Sequence, residues 1–357
     1  MGQNTHLNLS CSPSVYLATS RISHAKNMIT TMPAQTPAKS PQRRKLVVKP
    51  TTRPDKLFFG ISTAAAYSAI VITLAILVFL FWRAYPAFAS QGIFEFIFGA
   101  GWDTSTDPIV THIGPMLWGS FLVAAIGVAF AVPMAISIAY FIEFIAPQKL
   151  AKASTVLVDL LAAIPSIVIG LWGLSVFSPV AASWAEQLHG ALGWFPLFSN
   201  TAENFLRSPF IAGLVVTVMI VPIIASITRE IFSQMDQEII KASLALGGNR
   251  ESTFRKVILP TAAGGVVGGV LLGLGRALGE TVAIFFVLNL VYDDFNFFKI
   301  LEPEGGAIAS LILSKFGEAT PAEIEGLMAA GVVLFMATLG VNAIASYIVA
   351  KAQPWRD

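Results

Sequence analysis

The stretch Lys241-Ala242-Ser243-Leu244-Ala245-Leu246-Gly247-Gly248-Asn249, continuing through Leu259-Pro260 to Gly273-Leu274-Gly275-Arg276-Ala277-Leu278-Gly279-Glu280-Thr281 and Leu288, holds two opposed chemistries side by side. Up to Leu259-Pro260 it is polar and charged, and beyond that it is a glycine-studded apolar run that nonetheless carries Arg276 and Glu280. An apolar run of about 20 residues is long enough to cross a bilayer. An ionised Arg near the middle of such a run costs roughly 2.5 to 3.5 kcal/mol on insertion scales, so it persists only where it faces a polar interior. The reading that follows is a membrane helix with a charge placed in it for a purpose, preceded by a structured polar loop.

The rest of the chain agrees. Of 357 residues, 55% are hydrophobic and 12% charged, against about 25% charged in a soluble domain. Six apolar runs are long enough to span: 58–82, 113–142, 155–177, 210–227, 262–290 and 327–349. Pro133 and Pro165 predict bends in the second and third. Lys and Arg gather in the N-terminal stretch, around Lys149 and Lys152, between Arg229 and Lys256, and at Lys351 and Arg356. These segments are therefore expected to be cytoplasmic, with both termini inside. The loops 83–112, 178–209 and 291–326 hold only Arg83, Arg207, Lys299 and Lys315 and are expected to face outward. Residues 1–56, rich in Ser, Thr, Pro, Gln and Lys, read as a disordered basic cytoplasmic tail, and 57–357 as the membrane domain. No apolar core lies near Met1, so a cleaved signal is not expected. The net charge of +2 gives no case for nucleic acid, and Cys11 alone allows neither a disulfide framework nor a cysteine metal site. No phosphate loop of the GxxxxGK[ST] kind is present, so ATP hydrolysis by that mechanism is not expected of this chain. No cofactor is expected.

Within the polar loop, about 229–260, Ile239, Ile240, Ser243, Leu244 and Leu246 recur at helical spacing. Gly247-Gly248 ends that helix, Asn249 is a plausible N-cap, and Phe254, Val257 and Ile258 begin a second short amphipathic stretch. Two short helices meeting at a glycine make a compact knob that can seat in a groove of a soluble partner. The alternative is a solvated loop in which Gly247 and Pro260 only punctuate helices. In the apolar run, Gly265, Gly269 and Gly273 recur every four residues, which lets another helix approach closely. Glu280 lies four residues after Arg276, so a continuous helix would bring both onto one face about 40° apart. The pair is either a buried tie between helices or a substrate path in which Arg276 neutralises an anion and Glu280 holds Arg276 between passages. Asp159 lies close enough to Lys149 and Lys152 to pair with one of them.

These motifs carry a resemblance. Ala242, Ser243, Leu244, Gly247, Leu259 and Pro260 match the spacing of the cytoplasmic coupling loop of ABC importer permeases, with Lys241 standing where that family usually has Glu. The Gly273–Thr281 segment and Ala162-Ala163-Ile164-Pro165-Ser166-Ile167-Val168-Ile169-Gly170-Leu171-Trp172-Gly173 resemble the C-type permeases of phosphate-specific importers. The resemblance covers about 57–353. It implies an all-α membrane protein with six transmembrane helices, the type I ABC importer permease fold and a cytoplasmic coupling helix, in a bacterial inner membrane. It also implies a second, A-type permease subunit, two cytoplasmic ATPase subunits, an extracytoplasmic phosphate-binding protein, and phosphate as substrate with Arg276 and Glu280 on its path. A permease for another oxyanion or a phosphonate, a non-ABC transporter, and a membrane anchor of a signalling complex stay open.

Overall fold

The computed structural model describes residues 53–105 and 109–352, so the basic N-terminal stretch read as a tail lies outside the described residues up to 52. The chain divides into two compact units, Met1–Ala65 and Ala66–Asp357. The first contributes the opening turns of helix α1 (Arg53–Gln91), and the second holds every packed core described below. Six helices among the described residues are long and apolar enough to cross a membrane: Lys56–Gln91, Gly114–Ile145, Ser166–Leu192, Pro209–Ser233, Arg250–Gly279 and Pro321–Ile348.

After α1 come a short helix α2 (Ile93–Phe98), a two-residue antiparallel pair β1 (Trp102–Asp103) and β2 (Val110–Thr111), and then α3 (Gly114–Tyr140). Helix α4 (Gln148–Ala162) buries none of its residues. It is followed by α5 (Ser166–Trp172), α6 (Ser178–Leu192), α7 (Pro209–Ser233), α8 (Gln237–Ala245), α9 (Arg250–Thr253) and α10 (Leu259–Gly279). The chain ends with α11 (Val282–Val287), α12 (Ile308–Lys315) and α13 (Pro321–Ala352).

Helix α7 is the most buried of the six membrane-length helices, with α3 and α10 packed along it. The α7–α10 contact explains the glycine period. An added Cβ would meet Ile231 at Gly265, Ile227 at 3.1 Å at Gly269, and Ile224 at 2.8 Å at Gly273. Two antiparallel helices thus interlock branched side chains with bare backbone, which is how membrane helices gain close packing without a hydrophobic driving force. The main core joins Val123, Ala131, Ala212, Val216, Ile220 and Ile224 with Ala277, Ile284 and Val287.

Two sequence expectations are corrected. The predicted third span, 155–177, breaks in the middle. Pro165 has no N–H and disfavours helical backbone at Ile164, so α4 ends in tightened turns (Ala163 N to Leu160 O, 3.1 Å) and Pro165 itself takes extended backbone before α5. The membrane-length helix is instead Ser166–Leu192, which moves 178–192 out of the expected loop. The predicted fifth span, 262–290, begins earlier and stops at Gly279, because α9 and α10 run together as Arg250–Gly279.

Candidate functional site

The break at Gly279 reorganises the charged pair. Glu280 leaves the helix with φ −69° and ψ 123°, and its carboxylate turns to the next segment, accepting a long hydrogen bond from Ala283 N at 3.4 Å. Glu280 is buried at 8% exposure, whereas Arg276, in the last turn of α10, is exposed. The expectation that both share one helical face is therefore wrong, since it needed α10 to continue past Gly279. Among the described residues the ion pairs are Arg255–Glu251 and Lys299–Glu302, and Arg276 joins neither. Asp159 is exposed and likewise forms no ion pair with Lys149 or Lys152.

The face that Arg276 occupies is open. Gly268, Leu272, Arg276 and Gly279 follow one another at helical spacing and all are exposed, Leu272 by 63%, and a Cβ at Gly268 or Gly279 would meet nothing within 4 Å. A cation stands there among small and apolar groups, on a surface this chain leaves uncovered. Beside it lies a polar group that the sequence reading passed over. Asn342 of α13 approaches Gly275, its Nδ2 lying 3.9 Å from where a Cβ would stand, and its buried Oδ1 has no hydrogen-bond partner among the described residues. A lone Asn in the apolar run 327–349 was the available signal.

At the opposite end of α10 the polar loop forms the expected knob. Asp236 caps α8 by accepting from Glu238 N at 2.8 Å, Gly247 turns the chain with φ +85°, and Asn249 caps α9 by accepting from Ser252 N at 2.7 Å. A 3.0 Å hydrogen bond between the Ser243 and Thr253 hydroxyls ties the two arms. Ala242, Leu244 and Leu246 stand out from the knob, Leu246 with 90% of its surface bare. Leu259 and Pro260 are not at the tip but in the root, where α9 passes into α10 without a break. Pro260 cannot donate to Lys256, and the turn before it widens so that Leu259 N bonds back to Phe254 O.

Beneath the knob, Ile240, Met235 and Phe254 pack on Ala139, Phe232, Ile258 and Ala262. Phe254 lies 4.4 Å between ring centroids from Tyr140, and Phe144 lies 5.7 Å from Phe232. The knob is therefore bolted to the ends of α3, α7 and α10 at once. Only Phe254 of this aromatic cluster was singled out by periodicity; the others come from helices distant in sequence.

With this geometry in hand, residues 131–353 match the family model described as "Binding-protein-dependent transport system inner membrane component". The chain belongs to this family. Among relatives of this permease, the phosphate transport system permease protein PstC 2 of Mycobacterium tuberculosis is 36% identical over 305 residues, covering 84% of this chain and 93% of that one. PstC of Xylella fastidiosa is 32% identical over 298 residues, covering 82% and 90%. Among solved structures, a chain of a bacterial alginate ABC transporter in complex with an alginate-bound periplasmic protein superposes with a TM-score of 0.55 at 13% identity, covering 84% of this permease and 96% of that chain. At that identity the match speaks to the fold, which is that of an ABC importer permease.

Proposed function

We propose that this chain is the membrane permease subunit of an ATP-driven importer of inorganic phosphate. Relatives that bear the phosphate transport name, aligned over more than four-fifths of the chain, support the substrate. Arg276 carries the reading at atomic level. A guanidinium is charged at every relevant pH and presents a fork of N–H donors that fits phosphate oxygens. Exposed on the apolar face of α10, an ionised guanidinium is costly wherever it meets lipid rather than a polar path. The open face Gly268–Leu272–Arg276–Gly279 is therefore covered in the assembled transporter by a second, A-type permease subunit, and the anion passes between the two along Arg276. Glu280, capping the helix after the break, acts as a positioning residue: it holds the end of α10 and so the place of Arg276.

The knob Gln237–Thr253 docks on one of two cytoplasmic ATPase subunits. Its exposed residues Ala242, Leu244 and Leu246 meet the ATPase, Ser243 and Gly247 hold its shape, and Leu259 and Pro260 carry its movement into α10. The knob end is cytoplasmic, and an extracytoplasmic phosphate-binding protein delivers the anion at the other end. Uptake of radiolabelled phosphate, with sulfate and methylphosphonate as competitors, tests the reading in vesicles holding the assembled complex. ATP-dependent accumulation blocked by neither competitor is the expected result, and accumulation of another oxyanion in its place would overturn the substrate.

A further inference from the structure

Holding Arg276 between passages of an anion is a task that Glu280 does not perform, since its carboxylate is turned to Ala283 N. No other carboxylate is placed for it. Arg276 is the one charged residue of α10, and α13, which packs beside it, carries no charge between Glu325 and Lys351. Helix α3, packed on α10 from another side, has no charged residue. What α13 does offer is Asn342. Its Oδ1 is enclosed by the chain yet has no hydrogen-bond partner among the described residues, while the Thr338 hydroxyl one turn earlier is committed to Leu334 O at 2.8 Å. A buried amide oxygen without a donor has given up its bond to water and gained nothing in return, which is costly to keep. Because this chain itself encloses that oxygen, a second subunit laid over the open face of α10 does not supply the donor. Arg276, which forms no ion pair among the described residues, has donors to spare.

Between the two groups the surface of α10 is bare, because Gly275 and Gly279 carry no side chain. A Cβ at Gly275 would come near Asn342 Nδ2 alone, at 3.9 Å, and one at Gly279 would meet nothing within 4 Å. The terminal torsion of an Asn amide is soft, and a half-turn brings Oδ1 to the place Nδ2 now holds, over Gly275. The long Arg stem lies readily along apolar helix surface with its guanidinium at the far end. We propose that Asn342 is the resting partner of Arg276: with no anion present the guanidinium folds across Gly275 and Gly279 and donates to Asn342 Oδ1, and an arriving phosphate draws it back to the open face. Asn342 is a positioning residue in this cycle and touches no substrate. A neutral amide suits that task. It satisfies the guanidinium without matching the charge-assisted bonds of an anion, so phosphate displaces it, whereas a carboxylate in its place would compete for the same fork of donors. The inference rests on the role proposed above for Arg276 as the anion's partner.

The test uses the assembled transporter. In phosphate-free detergent solution, the unfolding temperature is read for Asn342→Leu, Arg276→Gln and the double variant. Two groups that hold each other are lost as one, so the double variant should unfold with the lower of the single variants; losses that sum would overturn the latch. Asn342→Asp gives a change of sign. It should raise the unfolding temperature with Arg276 present and lower it in the Arg276→Gln background, where the carboxylate has no cation. The same shift in both backgrounds would overturn the latch, and this arm decides if Asn342→Leu fails to assemble. In proteoliposomes supplied with the phosphate-loaded binding protein of the same system, Asn342→Asp should lower maximal uptake at least tenfold and leave the half-saturating concentration of that protein unchanged. Parental maximal uptake would also overturn it. The thermal arms contain no phosphate, so a transporter that passes them and imports another oxyanion overturns the substrate reading and leaves the latch standing.

Discussion

Arg276 and Glu280 are neighbours in sequence that form no ion pair. With Glu280 turned into the core and capping α11, its removal does not orphan Arg276, nor does the reverse. Arg276→Gln is therefore expected to abolish phosphate uptake with the complex still assembled, and adding Glu280→Gln should not restore it. Had the two formed a buried pair, neutralising both would be far less costly than orphaning one, and the double variant would recover. Glu280→Gln alone keeps an oxygen for Ala283 N and should transport near the parental rate, whereas Glu280→Leu loses the cap, a change of about 0.5 to 2 kcal/mol at helix starts. Uptake normalised to assembled complex separates these outcomes. At Glu302, burial pushes the carboxyl upward, but hydrogen bonds from Lys299 and Thr201 and the Lys299 charge outweigh it and hold it below its ordinary value of 4.5. An acid depressed on folding stabilises the fold above its unfolded pKa and loses that stabilisation as pH falls through the folded value. The 289–306 segment should accordingly loosen on acidification below about pH 4.5. Hydrogen exchange of its amides across that range checks this, and Glu302→Gln should show the loosened behaviour already at neutral pH.

Among the helices and turns, proline and glycine are where local sequence and packing negotiate. Each of the widened five-residue turns Phe141–Ile145, Gly173–Phe177 and Phe254–Ile258 is followed, after one residue, by a proline: Pro147, Pro179 and Pro260. A proline lacks the donor for the preceding turn, and the expanded turn takes up the mismatch, so two of the three helices pass on unbroken. In the knob, Gly247 has open space around it and a φ of +85°, so only the backbone conformation excludes a side chain. Gly247→Val should leave the helices inserted and the complex formed while uncoupling ATP hydrolysis from uptake. A ratio of phosphate moved to ATP hydrolysed equal to the parent's would defeat the proposed role. Gly269→Leu differs in kind, because Ile227 already stands 3.1 Å from a Cβ there, and it should lower the yield of folded permease.

For the molecule as a whole, the proposed orientation puts the knob and the 289–306 segment on opposite sides of the membrane. In a chain with Cys11→Ser, a membrane-impermeant maleimide added outside should label Ala202→Cys, an exposed position, and miss Asn249→Cys. The opposite labelling would remove the knob from any cytoplasmic ATPase. A position such as Asn296 is unsuitable for this purpose, since it is buried by its three hydrogen bonds.

Six apolar runs, the glycine period, the Asn249 cap and the Gly247 turn were legible without coordinates, because each depends on composition or on backbone chemistry within a few residues. The knob could be read for the same reason: its two caps and its turn are local. Where helices stop was less accessible. Proline and glycine announce that a backbone bond is lost or a turn is allowed, but neighbouring helices settle whether the chain breaks, as at Pro165 and Gly279, or continues, as at Pro179 and Pro260. The separation of Arg276 from Glu280, the seating of Phe254 on Tyr140 and Phe232, and the approach of Asn342 to Gly275 join groups remote in sequence or divided by such a break. Their positions follow from the packing of α3, α7, α10 and α13 against one another, which no local pattern encodes.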